Sequence, residues 1–115
     1  MSKYHPPKPE DVEMLKLAAK AMGCTAHQFE GIGALFLFEP DGCTEGEWNP
    51  LTDDGDALRL AVKLSLIVNI SSGDYSYCEV GDSPRNVLAF EEGEPNAATR
   101  LAIVKAAAEI GKAMP

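Results

Sequence analysis

The stretch 97–112, AATRLAIVKAAAEIGK, constrains the fold more than any other part of this chain. Alanine has the highest helix propensity and the smallest side chain of the strong helix formers. The run therefore predicts a helix with a smooth surface, suited to close packing on a sheet. Leu101, Val104 and Ala108 recur at helical spacing and form the stripe expected to be buried. A helix of this kind needs apolar partners, and the remainder of the chain supplies them in short runs.

Two more segments carry helical periodicity. In Glu10–Met22, EDVEMLKLAAKAM, the apolar stripe is Val12, Leu15, Ala19 and Met22. Pro9 stands where a first turn tolerates it, Glu10, Asp11 and Glu13 suit the positive helix end, and Gly23 is a natural stop. The second segment runs from Asp53 to about Leu64, with Thr52 as the expected N-cap and Leu58, Ala61, Val62 and Ser65 as the expected inner face. Between the helices lie short runs of strand character. Ile32–Phe38 is apolar and aromatic and reads as a buried strand; Leu66–Ile70, LIVNI, reads as a central strand. Tyr75–Val80 alternates with period two, and Asn86–Phe90 is a further strand after a turn at Gly81–Pro84. Short links favour an antiparallel meander. The expected architecture is one α+β domain over residues 1–115, with 1–9 as a Pro-rich lead-in. Three helices layer on a four-stranded, largely antiparallel sheet in the order α-β-α-β-β-β-α.

Charge narrows the function classes. The net charge is −8, and between Glu39 and Asp56 there are seven acids and neither Lys nor Arg. Such a surface repels phosphate backbones, which disfavours direct nucleic-acid binding. It reads either as a solvated loop or as a face meant for a basic partner. The segment 39–52 itself, with its prolines and glycines, reads as a loop. No run of 18 apolar residues predicts a membrane span, and the N-terminus has no apolar core of a secretory signal. Cys24, Cys43 and Cys78 are odd in number and widely spaced, which fits reduced thiols in a cytosol better than a disulfide framework or a zinc site.

Several residues qualify as site candidates. Asp53, Asp54 and Asp56 follow WNPLT, and acids in a first helical turn complement the helix dipole. Asp53 and Asp56 also stand three apart, which admits a divalent ion. Trp48 reads as a core plug, with a stacking platform as the alternative. Tyr75 and Tyr77 share one face of their strand. Arg85 and Arg100 stand out in an acidic chain, because a guanidinium can grip phosphate or carboxylate with two donors; simple surface ion pairs are the alternative. Gly31-Ile32-Gly33 precedes a strand, so it reads as a turn and not a phosphate loop. No nucleophile elbow, Walker loop, HExxH or deaminase signature occurs, and no cofactor is expected.

Three blocks, LAAKAMG at 17–23, WNPLTDDGDALRLAVKL at 48–64 and ATRLAIVKAAAEIG at 98–111, together resemble a family of small bacteriophage and prophage proteins, the phage ABA-sandwich domain. The likeness spans most of the chain in order. One departure is Cys24, where many members carry an aromatic after Met-Gly. The family has no settled enzymatic activity, so the resemblance implies a phage genome, a bacterial host cytoplasm and an accessory role. The leading expectation is a non-enzymatic counter-defence protein, as a homo-oligomer, that sequesters a nucleotide-derived signal with Trp48, Tyr75, Tyr77, Arg85 and Arg100. The second is an acidic inhibitor of a host defence protein, imitating nucleic acid through Glu45, Glu47, Asp53, Asp54 and Asp56. The third is a small metal-dependent hydrolase built on the aspartates, and a virion part is a fourth.

Overall fold

In the computed structural model, which describes residues 3–71, 76–83 and 85–115, the alanine-rich segment forms the axis of the molecule. This helix, α3 (Pro95–Ala113), packs against α1 (Val12–Ala21), α2 (Asp54–Lys63) and one face of a sheet. Its buried residues are Ala98, Ala102, Ile103, Val104, Ala106, Ala107, Ala108 and Gly111. Burial thus wraps most of the way round the helix. The expected stripe is part of this surface, with Val104 and Ala108 buried and Leu101 half-buried. A helix with neighbours on three sides needs small residues on all of them.

The expected single four-stranded sheet is corrected to two separate three-stranded antiparallel sheets. One comprises β1 (Thr25–Gln28), β2 (Leu35–Phe38) and β3 (Thr44–Glu47); the other comprises β4 (Ile67–Ser71), β5 (Tyr77–Ser83) and β6 (Asn86–Glu92). The order is therefore α-β-β-β-α-β-β-β-α, after a single 3-10 turn at Pro9–Asp11. Strands β1 and β3, reading TAHQ and TEGE, lack any apolar run and escape a search for hydrophobic strands. They exist because both edges of β2 offer backbone groups to pair with. The EPDG run, expected as part of a long loop, is a tight hairpin turn between β2 and β3. The Gly42 N–H donates to the Glu39 carbonyl at 2.9 Å, the Glu39 N–H donates to the Cys43 carbonyl at 2.8 Å, and Gly42 has φ of +89°. That left-handed angle is the reason for glycine there.

Other local expectations also change. The strand expected from Ile32 begins at Leu35, and Ile32 is exposed in the preceding turn. The LIVNI strand lies at a sheet edge and not in the centre. Residues Gly81–Ser83, expected as a turn, extend β5 with shifts in register against β6. Tyr75 and Pro84 lie outside the described residues. In α2 the expected inner face is off by one step round the helix. Ala57, Leu60 and Ala61 are buried, whereas Leu58 and Val62 are 63% and 69% exposed and Ser65 is exposed past the helix end. Two apolar stripes sit side by side on this helix, and only docking on α3 selects between them.

One core joins the layers. Leu15, Ala18 and Ala19 from α1, Leu35 and Leu37 from β2, Leu60 from α2, Val80 from β5 and Val104 from α3 meet there with Trp48. On the other side of β2, Phe36 and Phe38 form an aromatic cluster with Phe29, and Tyr4 of the lead-in packs against Phe36 with tilted rings 5.9 Å between centres. Tyr4 thus ties the described part of the Pro-rich lead-in to the folded body.

Candidate functional site

The acidic segment and the C-terminal half of α2 enclose a cleft of about 420 Å³. Its floor is Leu37, Trp48 and Leu60, with Met22 and Cys24 at one end. Glu39, Glu45, Glu47 and Asp56 line it, and Arg59 and Lys63 stand on the α2 wall. The geometry follows from local structure. The tight turn at Gly42 folds β3 back along β2, which brings the glutamates on 39–47 over the same ground. The buried Trp48-Asn49-Pro50 link then delivers the chain to α2.

Trp48 is 4% exposed and packed into the core, as a core plug would be, with its remaining exposed edge in the cleft lining. Asn49 is also buried and organises the turn ahead of α2. Its side-chain oxygen accepts the Leu51 N–H at 3.1 Å, and its carbonyl accepts the N–H groups of Thr52 and Asp53 at 3.1 and 2.9 Å. Its own N–H donates to Asp56 Oδ2 at 2.9 Å.

The three aspartates have distinct roles. Asp53, and not Thr52, is the N-cap: its Oδ2 accepts the Asp56 N–H at 2.8 Å. The Thr52 hydroxyl points back to the Asn49 carbonyl at 3.4 Å instead. Asp56 accepts from Asn49 with one oxygen and from Arg59 Nη2, at 2.7 Å, with the other. Asp54 accepts Arg100 Nη1 at 2.6 Å. All three carboxylates therefore serve a helix start and its ion pairs. Among the described residues, no three His, Cys, Asp or Glu side chains gather as a metal-binding group.

Electrostatics within the cleft is uneven. The hydrogen bond to Asp56 raises the Arg59 pKa, and the fields of Asp56, Asp53 and Glu45 add to it. Burial first, and then the Glu39 carboxylate, push the Cys24 thiol above its ordinary value, with Lys63 opposing. Cys24 Sγ lies 3.6 Å from Glu39 Oε2. A thiol in that setting stays protonated at neutral pH and is a poor nucleophile. Glu47 accepts the His5 N–H at 2.6 Å, tying the lead-in to the rim.

Of the residues expected to hold a nucleotide-like ligand, Trp48 lies in the floor of this cleft, whereas Tyr77, Arg85 and Arg100 do not line it. Arg100 is half-buried and committed: its Nε donates to the Leu51 carbonyl at 2.8 Å while Nη1 holds Asp54, so the ion-pair reading describes it. Arg85 is exposed at the β5–β6 connection. Tyr77, half-buried, stacks on Phe90 with ring centres 5.3 Å apart. Tyr75 lies outside the described residues. Of the acidic set, Glu45, Glu47 and Asp56 line the cleft, while Asp53 and Asp54 flank it at the helix start. Sequence reasoning missed Glu39, Lys63 and the Met22-Cys24 end as parts of one site. The acid count over 39–56 was the available signal, but assembling the cleft required the β2–β3 hairpin, which that reading treats as loop. No protein-family model matches this chain, and neither a curated protein nor a solved structure matches it.

Proposed function

We propose that this protein is a non-enzymatic binder that receives a basic segment of a protein partner in the cleft between β2, β3 and α2. The observation that supports it is the juxtaposition of three carboxylates, Glu39, Glu45 and Glu47, with an apolar floor of Leu37, Trp48 and Leu60; the fourth acid of the lining, Asp56, is already bonded to Asn49 and Arg59. An arginine or lysine side chain has this duality, an apolar stem and a cationic head. Arg59 and Lys63 on the opposite wall restrict the cationic head to the β3 side and disfavour a second positive group beside α2.

Read together with the likeness to phage ABA-sandwich proteins, the partner class is a host defence protein with a nucleic-acid-binding surface. The protein then acts in counter-defence, in the cytoplasm of an infected bacterium, by occupying that surface. Sequestration of a nucleotide-derived signal draws less support, because Trp48 is buried and Arg100 is already bonded on two sides.

The test is capture from host lysate with the intact protein and with a Glu45→Gln/Glu47→Gln variant. A basic partner is expected on the former, released by moderate salt and by competing duplex DNA, and lost from the latter. A partner held equally by both proteins, or one indifferent to salt, would overturn the reading.

A further inference from the structure

The lead-in, residues 3–8, touches the acidic cleft at one of the cleft's own carboxylates. Glu47, on the rim, accepts the His5 N–H through Oε2 at 2.6 Å. The His5 carbonyl in turn accepts Asn49 Nδ2 at 3.4 Å, from the residue that follows Trp48. Tyr4 packs against Phe36 on the other side of β2, with Lys3 over its ring. This segment has the chemistry proposed for the partner: it carries Lys3, His5 and Lys8 and no acid before Glu10, in a protein of net charge −8. Its hold is slight. Pro6 and Pro7 have no N–H to donate, so the His5 amide is the last donor before Lys8. His5, Pro6 and Lys8 are exposed. Between the His5 contacts and the 3-10 turn at Pro9–Asp11, the segment spans a cavity of about 430 Å³ beside Leu51, Thr52 and Leu101 and does not fill it. A segment rooted in α1 at one end, and fastened at the other chiefly through His5 and the Tyr4 ring, has the build of a strap.

We infer that residues 3–8 form an autoinhibitory strap that competes with the partner's basic segment for Glu47. The inference rests on the reading of the cleft as the seat of such a segment. A guanidinium that grips Glu47 with two donors needs both carboxylate oxygens, and the His5 N–H already holds one of them. While the strap is fastened, Glu47 therefore has a single oxygen to offer a partner. Release frees the second. The affinity seen by a partner that needs the released form is lowered by the fraction of molecules in that form, so a strap fastened about nine-tenths of the time weakens binding about tenfold. A partner that wins Glu47 in turn holds the strap open, since the two occupants exclude each other at the same oxygen.

Titration of the full chain and two variants with a fluorescein-labelled hexa-arginine peptide at low salt tests this. His5→Pro removes the N–H that Glu47 accepts, and Tyr4→Ala removes the ring that packs on Phe36; neither residue lines the cleft. Each variant is expected to bind the peptide about tenfold more tightly than the parent, with an unchanged circular dichroism spectrum. Hydrogen exchange gives a second readout. The His5 amide of the parent is expected to lose protection when the peptide binds, and to lose it in Glu47→Ala without peptide. Equal or weaker binding by either folded variant, or a His5 amide that stays protected in the complex or in Glu47→Ala, would overturn the strap. The cleft reading would survive that result if Glu45→Gln still weakened the peptide. Failure of the peptide to bind any of the three forms would instead overturn the cleft reading, and the strap with it.

Discussion

Gly111 near the end of α3 sets how closely α1 and α3 approach, and replacing it with alanine opposes two effects of known size. A Cβ built at Gly111 meets the Leu17 carbonyl oxygen of α1 at 2.0 Å and its carbon at 2.9 Å. Both are backbone atoms within a helix, so neither can rotate aside. The helices must separate, or the last turn of α3 must come off α1. Separation loosens the packing of Leu15, Ala18 and Ala19 against α3, and overpacking of this kind costs about 3 kcal/mol at the upper end of its usual range. Release of the last turn instead forfeits the Lys20 bond to the Met114 carbonyl at 3.1 Å and the burial of Gly111 itself. Against either loss, alanine gains about 1 kcal/mol over glycine in a helix. The net expectation is a destabilisation of about 2 kcal/mol, or roughly an 8 °C fall in Tm for a chain of this size. Urea unfolding followed by circular dichroism and by Trp48 fluorescence measures it, with coincident transitions as the check for two-state behaviour. If Gly111→Ala proves as stable as the parent or more so, propensity has won and the close α1–α3 approach is refuted.

Other consequences are equally direct. Arg100→Met leaves the Leu51 carbonyl without its donor at 2.8 Å and is expected to cost about 1.5–3 kcal/mol in chemical denaturation, as for hydrogen bonds to charged groups. Trp48→Phe/Ala substitutions should grade in severity, the alanine costing about 3–5 kcal/mol as other buried aromatics do. Glu94 caps α3 by accepting the Asn96 and Ala97 N–H groups, which lowers its pKa below the ordinary 4.5. A depressed carboxylate stabilises above its unfolded value and loses that contribution as pH falls through the folded one. Glu94→Gln should therefore lower Tm at pH 7, and the difference should close on acidification below 4.5. Cys43 is exposed whereas Cys24 and Cys78 are buried with raised pKa values, so a thiol reagent at neutral pH should modify Cys43 fast and the other two only on unfolding.

The helices were legible from the chain alone because their signal is local. Spacing of Leu15 and Ala19, the proline and acids ahead of Val12, and the alanines of 97–112 all act within a turn or two of backbone. The β4–β5–β6 meander was legible for the same reason, since short links leave adjacent strands no other partner. The role of Asp53, Asp54 and Asp56 as a helix start also follows from local chemistry, although the choice of Asp53 over Thr52 as cap depends on how Asn49 holds the preceding turn.

What local signals could not reach was everything decided by a partner distant in sequence. TAHQ and TEGE become strands only because LFLF lies between them, and backbone pairing leaves no mark on side-chain composition. Whether Leu58 or Leu60 faces inward depends on where α3 runs, some forty residues later. Arg100 looked available until Leu51 and Asp54 were brought to it. The acidic cleft is the same kind of object: its carboxylates are written in order along 39–56, but their convergence over Trp48 is a property of the folded hairpin and α2 together.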